Sequence, residues 1–334
     1  MLALLVPIVS LAGSPSAEEQ AFVTALNRAR LDPAAWAVAN GLGELVGGDG
    51  ALTTLADLPP RPPLALSTLL VNSARGHAEE MAYVDYFGHE SAVDGRWPND
   101  LVRDAGYPLP TEIPGDGFVW RLDPGANSVE SIAAGYPDPI TALNALLVDE
   151  GVNPPMHRIH LLGSDDFFST HRELGVGFAR DDASTYRNYW AIHSALETAD
   201  DRFLTGVVFE DLDGDGAYDA GEGLGGVQVA VGDATIETES AGGWALRVGD
   251  GTHAIACSGG DFVGSATGSV TVAGASREVD CVSGFSALIV DFVADDLPIA
   301  GPVTPTASAC DAAGASPGWL LLLRPLVLRR RRGC

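Results

Sequence analysis

The chain has 334 residues, which is long enough for two modest domains with separate cores and additional end segments. Its 45 acidic and 19 basic residues give a formal net charge of -26 at pH 7. A surface this acidic repels phosphate backbones and anionic lipid headgroups, so the composition argues against a nucleic-acid partner. The charge selects no particular ligand, because evenly spread, solvated carboxylates would give the same total.

Residues 1–17 are predicted to be a signal peptide. An apolar stretch runs from Met1 to Gly13, and small residues follow it up to Ala17. No Lys or Arg stands close to Met1, so a buried structural helix is the alternative interpretation. A signal peptide predicts export and therefore an extracellular or cell-surface location.

Helical spacing of apolar residues predicts three helices in the first part of the chain. Their ranges are Ala17–Arg30, about Leu66–Tyr86, and Ile140–Leu147. Two short apolar stretches, around Val176 and Trp190, are typical of strands. This mixture of helices and strands predicts an α+β domain over residues 18–197.

Three segments occur in series within this first domain. They are Gly76–Ser91, with a Phe-x-His turn, Val129–Gly135, and Met156–Gly163 followed by Arg172–Gly177. Together with an Asn-x-x-Arg motif at Asn27, they resemble the CAP superfamily of cysteine-rich secretory, antigen 5 and pathogenesis-related-1 proteins. The second segment has Ser131 where the family usually has Asn. The resemblance covers nearly all of residues 18–197 and implies a three-layer α-β-α sandwich.

The same resemblance implies that His89, Glu130 and His157 line one cleft. Two imidazoles and a carboxylate form a donor set that can hold Zn²⁺. The three side chains can also satisfy one another through hydrogen bonds and fix the layers together without a metal. Both alternatives remain open from the sequence.

Other polar residues of these segments receive lesser roles. A fourth acidic residue is common in the family's cleft, and the candidates are Glu90, Asp94 and Glu112. We expect Glu173 to form a structural hydrogen bond or salt bridge, and His160 to share a helix face with His157. The histidines interpreted as ordinary structural or surface residues are His77, His171, His193 and His253. Ser91 and Ser131 are not persuasive nucleophiles, because a serine hydrolase needs a base and an oxyanion hole, which a sequence does not show.

The composition changes near residue 203. Residues 203–296 contain short Val, Thr, Ile and Ala runs separated by Gly, Ser and Asp, which predicts a small antiparallel β-sandwich domain. Cys257 and Cys281 stand in two strand-like runs of this domain and are predicted to form a disulfide, since the chain is predicted to be exported. Such a link would contribute on the order of 3 kcal/mol. Two buried free thiols are the alternative.

An acidic loop from Asp211 to Glu222 has the twelve-residue spacing of a calcium loop, with Gly216 at its turn. The predicted Ca²⁺ ligands are Asp211, Asp213, Asp215, the carbonyl of Ala217, Asp219 and Glu222. Its flanks are strand-like, and the stretch resembles SdrD B-type and prealbumin-like repeats of bacterial surface proteins. The resemblance implies that calcium joins two strands. A solvated acidic turn without metal is the alternative.

The end of the chain is predicted to be a linker and a tail. Residues 297–317 are rich in Pro and Ala and predict a flexible linker. Residues 318–334 form a short apolar segment followed by an Arg-rich tail, interrupted by Arg324 and Pro325. With Cys310, this ending resembles the C-terminal sorting tags of myxobacteria (MYXO-CTERM-like), which implies membrane attachment through the tail.

The sequence therefore predicts an exported CAP-domain protein that binds a small apolar ligand, a peptide or a cell-envelope component in a His- and Glu-lined cleft. The β-domain is expected to act as a spacer or stalk. A metal-dependent hydrolase or peptidase using His89, Glu130 and His157 is the first alternative. A structural surface module is the second. The leading interpretation assigns no catalytic residue.

Overall fold

The computed structural model describes residues 13–43, 45–46, 52–53 and 55–291. Most of the predicted signal peptide, the linker of residues 297–317, Cys310 and the tail of residues 318–334 lie outside the described residues. Within the described ranges, no helix is long and apolar enough to cross a membrane. Helices and several sheets are both present, which confirms the α+β class.

The described residues contain six α-helices and sixteen strands. The helices are α1 Ala17–Leu31, α2 Pro33–Ala39, α3 Thr68–Val84, α4 Pro98–Asp104, α5 Pro139–Val148 and α6 Met156–Leu162. The first eight strands are β1 Leu45–Val46, β2 Leu52–Thr53, β3 Ala65–Leu66, β4 Glu112–Pro114, β5 Val119–Arg121, β6 Glu130–Ala134, β7 Glu173–Arg180 and β8 Asn188–Ala195. The other eight are β9 Phe203–Phe209, β10 Gln228–Val231, β11 Ala234–Glu237, β12 Gly243–Arg247, β13 Gly251–Ser258, β14 Ser265–Val272, β15 Arg277–Val282 and β16 Leu288–Val290.

Helix α1 begins where the predicted signal peptide ends. Ser16 caps the helix, and Ser16 and Glu19 form a reciprocal capping box, which satisfies backbone donors that a helix start leaves free. Arg75 of α3 donates a hydrogen bond of 2.7 Å to the carbonyl of Ser14. Cleavage after Ala17 would therefore remove the helix cap and this contact.

A four-stranded sheet with the order β3-β7-β8-β6 forms the centre of the first region, residues 13–197. Strands β7, β8 and β6 pair antiparallel, and β3 pairs parallel with β7. Every residue of β8 is buried, because the sheet is covered on both faces. Gly175 and Gly177 of β7 let α3 approach closely, since a Cβ at either position would overlap the helix backbone.

Helices pack on both faces of this sheet. Alternation along the strands sends Ile132, Tyr189 and Ala191 towards α3, where they form one core cluster. Val176, Ile192 and their neighbours point the other way and pack against α1, α2, α5 and α6. A third cluster at one end of the sheet packs α4 and the β4–β5 hairpin against the start of α3.

The second region, residues 203–291, contains two four-stranded sheets with the orders β11-β10-β13-β14 and β12-β9-β15-β16. Both sheets contribute to one apolar core. Cys257 of β13 and Cys281 of β15 form a disulfide between the sheets, with Cα atoms 6.4 Å apart. The region departs from an all-antiparallel arrangement at one place, because β9 and β15 pair parallel.

The two regions share an interface in which α1 and β3 of the first region contact β9, β12 and β15 of the second. Arg28 of α1 is buried and interacts electrostatically with Asp280 and Glu278 of β15. Burial raises the pKa of Glu278 well above its usual range and that of Asp280 to about 6. Gly243 of β12 lies so close to Gln20 that a Cβ there would overlap the glutamine side chain. The second region therefore packs directly on the first.

Candidate functional site

A polar cluster lies between α3 and the central sheet. Glu130 is the first residue of β6, and its register partner on β8 is His193, so both side chains point to the same face of the sheet. That face carries α3, which brings His77 opposite the pair. His89, in the turn after α3, reaches the same carboxylate. We call His77, His89, Glu130 and His193 the histidine–glutamate cluster.

Glu130 is the centre of this cluster. His77 Nδ1 lies 2.5 Å and His193 Nε2 lies 2.8 Å from Glu130 Oε2. His89 Nδ1 lies 2.8 Å from the other carboxylate oxygen, Oε1. The side chains of His77, Glu130 and His193 are completely buried, whereas that of His89 is 15 % exposed. His89 is therefore the member through which the cluster meets the surface.

A second ring of partners orients the imidazoles. Ser73 Oγ lies 2.8 Å from His193 Nδ1, and Tyr86 OH lies 3.1 Å from His77 Nε2. The Tyr86 hydroxyl also donates to Glu80 Oε1 at 2.7 Å. Asn127 donates to the Glu130 carbonyl at 3.1 Å. These contacts make a continuous polar path from Glu80 to Ser73, which fixes α3 against the sheet.

The cluster holds opposite charges in a buried place. Burial raises the pKa of Glu130, but the charge on His77 and the ring N–H hydrogen bonds outweigh it, so the net pKa lies well below the usual range. Burial lowers the pKa of His77, but the Glu130 charge and hydrogen bond outweigh it and raise the net pKa. For His193, burial prevails over the contact with Glu130 and lowers the pKa. The arrangement favours an ionised Glu130, a protonated His77 and a neutral His193.

The donor set fits zinc in its chemistry. One ligand atom each from His77, Glu130 and His193 lies within 4.8 Å of the others, and imidazole nitrogens with a carboxylate oxygen are common zinc ligands. The nitrogens nevertheless lie at hydrogen-bonding distance from the carboxylate. Two ligands at about 2.0–2.1 Å from a tetrahedral zinc ion would stand farther apart than this. The described geometry is that of a hydrogen-bonded network.

The structure does not bring His157 to this cluster, contrary to the sequence prediction. His157 is the second residue of α6, which packs on the opposite face of the sheet from α3. Its Nδ1 lies 2.7 Å from Asp149 Oδ1, and Asp149 Oδ2 accepts from its backbone N–H at 3.0 Å. His77 and His193, which the sequence analysis treats as ordinary residues, take the places beside Glu130.

The candidates for a fourth acidic residue also lie apart from the cluster. Glu90 is exposed, and Glu112 lies on β4, where its carboxylate is 3.4 Å from Arg121. Asp94 forms an exposed ion pair with Arg96 at 2.7 Å. The acidic residue linked to the cluster is Glu80, through the Tyr86 hydroxyl. Glu173 accepts a hydrogen bond of 2.7 Å from Tyr107, a structural role of the kind expected.

A groove of about 830 Å³ borders the cluster. Helix α3 forms one wall, on which Ser73 and His77 belong both to the groove lining and to the polar path just described. Helix α4 contributes Leu101, Asp104 and Ala105, and the turn of residues 93–96 completes the lining. A groove of this size falls in the range of small-molecule and short-peptide sites.

A different polar network occupies the other face of the same sheet. Ser131 Oγ and Ser194 Oγ each lie 2.7 Å from the ring of His160, at Nδ1 and Nε2 respectively. His171 Nδ1 lies 2.6 Å from the same Ser194 hydroxyl. Burial lowers the pKa of His160 well below its usual range and lowers that of His171 to about 3. We call Ser131, His160, Ser194 and His171 the serine–histidine chain; all four are buried and the histidines are neutral.

The acidic loop joins β9 to β10 in the second region. Asp211, Asp213 and Asp215 can each offer a carboxylate oxygen within 4.8 Å of the others. Glu222 closes the loop, since Oε1 accepts from the Leu212 N–H at 2.8 Å and Oε2 from the Asp219 N–H at 2.9 Å. The position-twelve carboxylate therefore already lies against the start of the loop.

The loop also touches the first region. Tyr218, at position eight, packs its ring 5.8 Å from that of Phe209 and forms one apolar cluster with it and with Ala21 of α1. The Tyr218 hydroxyl donates to the carbonyl of Ala241 at 3.2 Å. A change in the loop conformation would therefore reach α1 through one buried side chain.

No protein-family model and no curated protein matches the sequence. Among solved structures, the chain is similar to an extracellular protein containing a SCP domain from Bacillus anthracis, with 23 % identity and a TM-score of 0.28 over 41 % of this chain and 35 % of that one. It is also similar to an outer surface protein from Borrelia burgdorferi, with 14 % identity and a TM-score of 0.28 over 40 % of this chain and 76 % of that one. The aligned part spans about a third of the Bacillus protein. Similarities of this size decide neither family nor function.

Proposed function

We propose that this is an exported, extracellular or cell-surface protein whose CAP-like first domain binds a ligand in the groove beside the histidine–glutamate cluster. In this proposal the sheet with helices on both faces is the three-layer CAP sandwich, and residues 203–291 are a β-sandwich domain. The observation that carries the proposal is the groove itself, which has a wall containing Ser73 and His77 of a preorganised polar network. Export is supported by the disulfide of Cys257 and Cys281, a bond that persists in oxidising compartments.

Binding in the groove can be tested with a neutral apolar dye such as Nile red. The exposed Tyr83 and Val93 beside Leu101 give such a dye apolar surface to bind, so its emission should shift to the blue with purified full-length protein. Ala105→Trp should abolish the shift, because an indole at this lining position fills the groove. Ala234→Trp, on the exposed β11, serves as the matched control. If both variants bound the dye equally well, the dye would bind outside the groove, and the experiment would no longer support the groove as a ligand site.

A zinc-dependent hydrolase is the second candidate, and the donor set of His77, Glu130 and His193 is the observation that favours it. A zinc ion there would supply a Lewis acid and an activated water. Glu130 would serve as a ligand, or as a general base beside the ion. However, these three side chains are completely buried, and only His89 approaches the surface. Burial favours an ion with a structural role over one that meets a substrate.

Metal analysis of the purified full-length protein distinguishes these roles. The binding proposal expects far less than one zinc per chain, both in the wild type and in Glu130→Gln. One zinc per chain that is lost in Glu130→Gln and in His193→Gln, but retained in His157→Gln, would establish the zinc site that the hydrolase requires, and activity that depends on this zinc would then separate a catalytic ion from a structural one. His157→Gln is the matched control, because the structure places His157 beside Asp149 and away from Glu130.

For the second domain we propose that Asp211, Asp213, Asp215, Asp219 and Glu222 bind calcium together with the Ala217 carbonyl. The carboxylates of the first three lie close enough to share one ion. Burial raises the pKa of Asp219 and of Glu222, with repulsion between these carboxylates adding to it, and a cation would relieve that repulsion. Calcium would then join the ends of β9 and β10.

Thermal melts with calcium and with a chelator test this assignment. Extracellular calcium modules bind with Kd of about 10⁻⁴–10⁻³ M, so 1 mM calcium should add about 0.4–1.4 kcal/mol by mass action. Glu222→Gln should remove most of the gain, whereas Glu239→Gln, outside the loop, should keep it. If calcium leaves the melting midpoint of the wild type unchanged, the loop is a solvated acidic turn without metal. In the full-length protein, the stabilisation by calcium should extend to the interface that Tyr218 forms with α1.

A further inference from the structure

The groove between α3 and α4 has an uneven charge. Four carboxylates line it, from Glu79, Glu80, Asp94 and Asp104, against the single guanidinium of Arg96. That guanidinium is occupied, because it pairs with Asp94 at 2.7 Å and with Asp104 at 2.5 Å. The groove therefore presents a net negative surface to whatever enters it.

Glu79 is the carboxylate with the least compensation. It is half-buried on α3, and its carboxylate accepts no hydrogen bond from any described residue. The nearest cation, Arg75, is already joined to Glu19 by a salt bridge. Glu80, in contrast, accepts hydrogen bonds from Tyr86 and Ser91. A cationic ligand would therefore gain most from a contact with Glu79.

Apolar side chains stand between these carboxylates. Tyr83 and Val93 are each 66 % exposed, and Val84 is 47 % exposed, although all three are large apolar residues. They line the same groove, opposite Leu101 of α4. Several exposed apolar residues gathered in one concave place mark an interaction surface, because single scattered ones are what an ordinary surface shows.

We propose that the groove binds an extended peptide segment in which Arg or Lys residues alternate with apolar residues. This inference rests on the proposed function, that the groove is a ligand site, and specifies its ligand. Charge complementarity selects the basic residues, and the exposed Tyr83, Val84 and Val93 select the apolar ones. An anionic lipid or envelope polymer meets repulsion from the carboxylates. A small apolar molecule would leave Glu79 without a partner.

Isothermal titration calorimetry of the full-length protein with three synthetic pentapeptides tests the proposal. The probes are acetyl-Leu-Arg-Leu-Arg-Leu-amide, its Gln counterpart with both Arg replaced, and its Gly counterpart with all Leu replaced. The first should bind, and the Gln counterpart should bind at least about fivefold more weakly, since one charge contact at the surface is worth a factor of this size. The Gly counterpart should also bind at least about fivefold more weakly, because it has no apolar side chain to bury in the groove. Raising the salt from about 0.05 M to about 0.5 M should weaken only the Arg-containing probes.

Matched variants locate the binding site. Glu79→Gln should weaken the Leu–Arg probe about fivefold and leave the Leu–Gln probe unchanged, because it removes one charge and no hydrogen bond. Tyr83→Ser should weaken both Leu-containing probes. The controls are Glu237→Gln and Phe285→Ser, an exposed carboxylate and an exposed aromatic of the second domain, and neither should alter binding.

Equal affinity for the Arg and Gln probes, or an unchanged affinity in Glu79→Gln, would overturn the proposed ligand class. The dye experiment separates this failure from failure of the groove as a site. If Nile red binds to the wild type and not to Ala105→Trp while the peptides show no charge preference, the groove remains a ligand site and only the cationic class is wrong. If neither the dye nor any peptide binds, both proposals are wrong.

Discussion

Two polar networks lie on opposite faces of one sheet, one residue apart along the same strands. The histidine–glutamate cluster uses Glu130 and His193, while the serine–histidine chain uses Ser131 and Ser194. The first contains an ionised group, and its buried His77 lies behind the α3 wall of the groove. The second contains neutral groups, all of them buried. Strand alternation thus separates a network suited to a ligand site from one suited to holding layers together.

The largest expected effect is the loss of the carboxylate at the centre of the first network. Glu130→Gln leaves a buried, protonated His77 without its counter-charge, so the free energy of unfolding should fall by about 3–5 kcal/mol. Urea unfolding of the full-length protein measures it. Glu90→Gln, an exposed carboxylate in the turn after His89, is the control and should change little. A loss below about 1 kcal/mol in Glu130→Gln would mean that the cluster is not charged as described.

Removing the central hydroxyl of the serine–histidine chain, that of Ser194, should lower the free energy of unfolding by less than Glu130→Gln does. Ser194→Ala deprives both His160 and His171 of a hydrogen-bond partner, so we expect a loss of about 2 kcal/mol in the same measurement. Ser131→Ala removes one contact, to His160, and should cost about half as much. If the two serine variants were equal in stability, Ser194 would not link the two rings.

The serine–histidine chain should lose stability in acid, because its histidines are buried in the neutral form. The pKa of His171 is about 3 in the folded protein and about 6.5 when unfolded, so the unfolded state binds more protons below pH 6.5. The stability that the neutral His171 ring contributes is therefore fully present above pH 6.5 and is lost as the pH falls. Between about pH 6 and pH 4, His171→Asn should show a shallower fall in stability, by about 1.4 kcal/mol per pH unit. Identical slopes would show that the His171 ring is not buried in its neutral form.

The smallest effect is expected for His157, which belongs to neither network. His157→Gln removes the ring contact with Asp149 and should lower the free energy of unfolding by about 1 kcal/mol. The imidazole NMR signals of His77, His89 and His193 should stay in place. A shift of all three signals would mean that His157 lies in one cleft with these residues, as the sequence predicts.

Much of the fold is visible in the sequence, because long elements carry a periodic signal. The predicted helices Ala17–Arg30 and Ile140–Leu147 match α1 and α5 within one residue at each end, and the predicted helix of about Leu66–Tyr86 contains α3. The short helices α2, α4 and α6 have seven residues each, too few for an apolar period to show. Two of them begin with helix-start residues instead, Asp32 followed by Pro33 at α2 and Pro98 at α4.

The site was only partly predictable. Glu130 and His89 follow from the family resemblance. His193 joins them because β6 and β8 pair in a particular register, and the two residues are 63 positions apart in the chain. No local pattern carries that information. His77 could have been found, because it lies between Ala74 and Ala78 on the buried stripe of α3. Glu80 acts through the Tyr86 hydroxyl, a contact that spacing does not show.

The parallel pairing of β9 and β15 has a consequence for how the molecule could be tethered. Leu204, near the start of β9, pairs with Arg277 at the start of β15, and β16 runs back so that Val290 pairs with Val279. Adjacent strands lie about 4.8 Å apart, so the chain enters and leaves the second region at the same end, two strands apart. A stalk needs its two attachment points at opposite poles. This pairing therefore does not fit the spacer or stalk role that the sequence predicts, and a tether that begins after Asp291 gains no reach from the second region.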